Sequence, residues 1–77
     1  MEEKVIELIT KELGVSKNDI SLCTEIGGIP EWDSLHNVQI FGLIEQTYNL
    51  KILPEQIMDL ETVQDIVDFL RANGKCV

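Results

Sequence analysis

Basic side chains are scarce in this 77-residue chain, with six lysines and arginines set against fourteen aspartates and glutamates for a formal charge of −8. The acids run from Glu2 to Asp68 rather than forming a tail. A surface of that sign repels phosphate backbones and anionic headgroups, which argues against nucleic acid and membrane as partners. It suits a basic docking patch on another protein, although the same charge also serves plain solubility. Cysteine is limited to Cys23 and Cys76, which lie far apart in no metal-like or redox-like spacing. Neither a zinc site nor a thioredoxin-type pair is therefore expected, and the two bridge only if the fold brings them together. No apolar run approaches membrane-spanning length, and the opening MEEKVIELI lacks the basic and long apolar regions of a signal peptide. The expectation is a cytoplasmic protein with free thiols. With 44% hydrophobic residues, two prolines and five glycines, the composition is that of a folded chain rather than a disordered one. Its length allows one modest core, hence a single domain over residues 1–77 and no self-contained enzyme.

Val5, Ile6, Leu8, Ile9 and Leu13 recur at helical spacing and predict a first helix over about 2–13. Glu2 and Glu3 favour the positive end of its dipole, Lys11 the negative end, and Gly14 is placed to stop it. From Val15 to Asp33 the pattern breaks at Ser16, Asn18, Asp19, Gly27-Gly28 and Pro30, predicting a long ordered loop anchored by Ile20, Leu22, Ile26, Ile29 and Trp32. A second helix over 34–48 follows from Leu35, Val38, Phe41, Ile44 and Tyr48, with Ile40 and Leu43 widening the apolar arc and Asn49 ending it. Gly42 inside it marks either a close approach by another backbone or a tolerated glycine. Pro54 suits the first position of a short third helix over about 55–60. Thr62 caps a last helix over 62–72, with Asp65 reaching back in a capping box and Val63, Ile66, Val67 and Leu70 buried. The reading is an all-α four-helix bundle with a long loop between helices one and two.

The informative segment is Glu31-Trp32-Asp33-Ser34-Leu35, where a glycine-containing loop gives way to an amphipathic helix. Its structural explanation is a cap: Asp33 or Ser34 accepts hydrogen bonds from the first free backbone N–H groups. Chain length, acidity, helix–loop–helix order and a short helix before the last one coincide with this tripeptide. Together with the closing Thr62-Val63-Gln64-Asp65-Ile66, they give a sequence that resembles the acyl and peptidyl carrier family from the first helix through Leu70. The resemblance implies the acyl-carrier type of bundle, with 4′-phosphopantetheine from coenzyme A attached to Ser34 by a phosphopantetheinyl transferase. It implies that Asp33 and Leu35 flank the site, Asp33 helping to engage the transferase and its magnesium ion. It also implies a non-catalytic carrier, whose arm takes acyl or aminoacyl groups as thioesters to loading and chain-processing enzymes. A serine at a helix start is exposed, and the dipole there tolerates a phosphodiester.

The second helix is the expected docking surface, with Leu35 as apolar anchor and His36, Gln39 and Glu45 as contacts, Glu45 reading equally well as an ordinary solvated residue. Compared with fatty-acid carriers, the exposed side carries His36, Asn37, Gln39 and Gln46 in place of strong acidity. Gly42 falls where a bulkier apolar contact is common, and Trp32 replaces a small residue. These departures point to a specialised fatty-acid, polyketide or related pathway. The alternatives are an aminoacyl or peptidyl carrier of a nonribosomal pathway, or an unmodified helical interaction module. A Ser-His hydrolase is not expected, because residues two apart on a helix do not face each other and no third group orients His36. No catalytic residue and no metal ligand is assigned. Val5, Val38, Phe41, Ile44, Val63 and Ile66 line an acyl cleft or simply form the core. Met1 leading directly into the first helix, and an end soon after the last, give the expectation of a discrete protein, and a monomer is expected.

Overall fold

The computed structural model describes residues 3–75; Glu2 and Cys76, to which the sequence assigned a dipole contact and a potential bridge, lie outside them. The described residues form α1 (Glu3–Leu13), α2 (Ser34–Tyr48), α3 (Pro54–Asp59) and α4 (Val63–Ala72). No strand occurs among them, and no helix is long and apolar enough to cross a membrane.

α1 is amphipathic, burying Val5, Ile9 and Leu13 against α2 and α4. Gly14 ends it with φ +70, a left-handed value open to glycine without a Cβ penalty, while the Val15 N–H returns to the Thr10 carbonyl at 3.0 Å. α4 contributes Val63, Ile66, Val67 and Leu70, and α2 contributes Ile40, Phe41, Ile44 and Tyr48. Ile20, Trp32, Ile52 and Leu60 from the connections complete the core. At about 1.5–3 kcal/mol for each large apolar side chain removed from water, these three facing stripes are the main favourable term in folding.

The α2 stripe differs from the one the spacing suggested. Leu35 and Val38 are 65% and 69% exposed, so the buried side runs from Ile40 through Phe41 and Ile44 to Tyr48. Gly42 faces outward, and a Cβ built there would meet nothing within 4 Å. It accommodates no close approach within the chain.

The loop between α1 and α2 is ordered by a short turn and by backbone pairing with the start of α4. Lys17–Asp19 form a single 3-10 turn under a capping box from Ser16 and Asp19. Glu25 then makes an isolated antiparallel bridge with Thr62. Around it, the Ile26 N–H donates to the Glu61 carbonyl at 3.0 Å, Val63 N–H to Thr24 at 3.0 Å and Gln64 N–H to Leu22 at 2.9 Å. Ile20 and Trp32 are buried as anchors, while Leu22, Ile26 and Ile29 are half-buried against the core.

α3 starts at Pro54, one residue earlier than the sequence suggested, since a proline at the first helical position loses no intrahelical bond. Leu53 before it has no side-chain acceptor, so only Gln56 completes the cap, taking the Leu53 N–H at 2.9 Å. Thr62 caps α4 and Asp65 reaches back to its N–H, the reciprocal pair expected from the sequence. α4 ends at Ala72, with Gly74 at φ +75 and the Lys75 N–H returning to Leu70 at 2.9 Å.

Candidate functional site

The loop delivers its last residues to α2 in a fixed orientation because Trp32 is sunk in the core with 1% of its surface exposed. Its backbone is tied on both sides: the Trp32 N–H donates to Ile29 at 3.1 Å, and the Trp32 carbonyl accepts from Gly27 at 2.8 Å. Gly27 holds φ +81, a turn conformation that side chains oppose. The indole Nε1–H reaches forward to the Asn37 Oδ1 at 3.0 Å, pinning the loop to the first turn of the helix. Asn37 is therefore half-buried and bonded, not one of the freely exposed polar residues of α2. Sequence reasoning missed this pair. The only signal was a large aromatic and an amide straddling a helix start.

The two candidate caps divide the work. Asp33, in extended conformation, is the N-cap: its Oδ1 accepts the His36 backbone N–H at 2.9 Å, and its carbonyl accepts the Asn37 N–H at 2.9 Å. Ser34 is left at the first helical position, exposed, with no hydrogen bond to its hydroxyl among the described residues. The N–H groups of Ser34 and Leu35 find no acceptor among those residues either, so the free donors of a fifteen-residue helix surround the hydroxyl.

His36 adds a second contact to the cap, its Nδ1 lying 2.9 Å from the same Asp33 Oδ1. The His36 backbone hydrogen bond, followed by that of its ring, holds the Asp33 carboxyl below its ordinary value. A persistent negative charge therefore stands beside Ser34. His36 is turned toward Asp33 and not toward the serine, and no group of three or more potential metal ligands occurs among the described residues.

Leu35, Gln39 and Val38 lie exposed on the first turns of α2. Glu45 is neither a bare solvated residue nor simply a free acid: half-buried, its Oε2 accepts the Ile52 N–H at 2.9 Å and fastens the connection to α3.

A family model described as a phosphopantetheine attachment site matches residues 3–70. The chain belongs to that family. Members bear phosphopantetheine and act as carriers, engaging phosphopantetheinyl transferases and biosynthetic enzymes, and this carrier has the all-helical fold the resemblance implied. The end of α2 fits such a group on physical grounds, since an exposed hydroxyl among unpaired N–H donors at a positive helix end accommodates a phosphodiester. Cys23, exposed and free, lies in the loop between α1 and α2.

Proposed function

We propose that Ser34 is the attachment point of this carrier and that Asp33 and Leu35 are its recognition flanks. The observation that carries the reading is the division of roles at the start of α2. Asp33 satisfies the cap and leaves the Ser34 hydroxyl exposed and uncommitted at the first helical position. In the transfer, the Ser34 oxygen bonds the pantetheine-side phosphorus of the coenzyme A pyrophosphate as the P–O bond to the other phosphorus breaks, adenosine 3′,5′-bisphosphate leaves, and the hydroxyl proton passes to a base of the transferase. The attached arm supplies a terminal thiol that holds an acyl group as a thioester. Apart from Ser34 itself, the chain's residues present the serine and keep it oriented through Trp32, and they add no group to the bond-making step.

Docking falls to the outer face of α2. Leu35 and Val38 offer apolar surface on the same turns as His36 and Gln39, and Glu45 lies two turns further along the helix. The sparse charge on this face supports partners in a specialised fatty-acid, polyketide or related pathway, met by a monomeric cytoplasmic carrier. Intact mass spectrometry tests the central point. Incubation with coenzyme A, magnesium and a broad-specificity transferase adds one phosphopantetheine to the wild-type chain and none to Ser34→Ala. An addition that survives Ser34→Ala, or none to the folded wild type, overturns the reading.

A further inference from the structure

Asp33 uses one oxygen twice. Its Oδ1 accepts the His36 backbone N–H at 2.9 Å and also lies 2.9 Å from the His36 ring Nδ1, so both contacts come from a single residue at the third position of α2. In a reciprocal capping box the side chain at that position reaches back to the backbone N–H of the cap residue; here the ring reaches the capping carboxylate instead. Nδ1 carries a proton in this arrangement, because its lone pair would otherwise face those of the carboxylate, and that holds for the neutral and the charged ring alike. Oδ2 accepts no hydrogen bond from another described residue. The Asp33 side chain is 56% exposed, so this second oxygen belongs to a carboxylate that a partner can reach.

We propose that His36 is a positioning residue for the modification of Ser34: its ring fixes the Asp33 carboxylate so that Oδ2 is presented, next to the serine, as an acceptor for a donor group of the phosphopantetheinyl transferase. The inference rests on the reading of Ser34 as the attachment point. A carboxylate held by one backbone donor swings about that bond. A second donor on the same oxygen restricts the swing and fixes the direction of the other oxygen. That ordering is complete before the transferase arrives, so none of it opposes docking. His36 acts through Asp33 alone, since its ring is turned to the carboxylate and away from the serine.

The test measures steady-state transfer to the apo chain at saturating coenzyme A and magnesium, with circular dichroism confirming that each variant is helical. His36→Phe keeps a ring and removes the donor. It raises the KM for the carrier about three- to tenfold, the size expected of one hydrogen bond at an exposed site, and leaves kcat within about twofold, because Oδ2 touches no reacting atom. His36→Asn, whose amide nitrogen lies as many bonds from the backbone as Nδ1, recovers most of the loss. Asp33→Asn retains an oxygen for the cap but turns the presented edge into a donor; in that background His36→Phe adds less than about twofold. Independently of the transferase, long-range proton–nitrogen NMR spectra of the wild type, recorded where the ring is neutral, place the proton on Nδ1. An unchanged KM in His36→Phe, an equal rise in the Asp33→Asn background, or a neutral ring protonated only at Nε2 overturns the inference, and modification of the wild type at Ser34 then leaves the carrier reading standing. No modification of the wild type, or one that survives Ser34→Ala, removes that reading and this inference with it.

Discussion

The Trp32–Asn37 hydrogen bond is the contact through which the loop orients Ser34, and its contribution can be isolated by a double-mutant cycle. Trp32→Phe keeps an aromatic ring in the core but removes the indole N–H and leaves a small void. The lost bond contributes about 1 kcal/mol and the void about as much again. Asn37→Ala loses the same bond but places a better helix former in the first turn, which returns about 0.5 kcal/mol. The single variants alone therefore misstate the bond. The double variant should be about 1 kcal/mol more stable than the sum of the two single losses. For a chain of this length, total stability is roughly 4–12 kcal/mol, so all three variants remain folded. Urea denaturation followed by circular dichroism suits the cycle, because Trp32→Phe removes the one tryptophan and with it the fluorescence signal. Additivity within about 0.3 kcal/mol would show that the bond adds nothing net and that the ring's bulk alone fixes the loop.

Gly42→Ala should stabilise the protein by about 0.5–1 kcal/mol, since the added methyl meets open space in mid-helix, and thermal melting would detect the gain as a rise of several degrees. Glu45→Ala should destabilise by about 1–2 kcal/mol by leaving the part-buried Ile52 N–H without its acceptor; chemical denaturation and hydrogen exchange at Ile52 check this. Asp33 has a folded-state pKa below its unfolded value, so its stabilising effect is full above the unfolded value and is lost as pH falls through the folded one. The stability difference between wild type and Asp33→Asn, measured from neutral pH downward, should therefore hold steady and then shrink across the acidic range. A difference that grew on acidification would contradict the cap geometry.

The elements whose signals are local were readable in the sequence. Gly14 stopping α1, Asn49 closing α2 in a left-handed conformation and the Thr62–Asp65 box opening α4 each depend on residues a few positions apart. The buried face of α2 was not readable, because its apolar residues at 35, 38, 40, 41, 43, 44 and 48 surround most of the cylinder. Spacing alone could not choose between Leu35–Val38 and Ile40–Ile44. Packing against α1 and into the common core makes that choice, and it releases Leu35 and Val38 to the surface. At the candidate site, Ser34 and its flanks stood out through their place before an amphipathic run. The assignment of the cap to Asp33 over Ser34 turned on one oxygen reaching the His36 N–H, a matter of a side-chain rotamer. The partners of Glu45 and Trp32 depend on where the connections pass, which no local pattern encodes.

The pairing of Thr24 and Ile26 with residues 61–63 carries a consequence for biosynthesis. The segment leading into Ser34 is clasped by backbone that the ribosome makes more than thirty residues later. A nascent chain that has exposed α2 but not yet the start of α4 has no partner for the middle of the loop. The middle of the loop thus gains its backbone partners only once the chain has been made through Gln64.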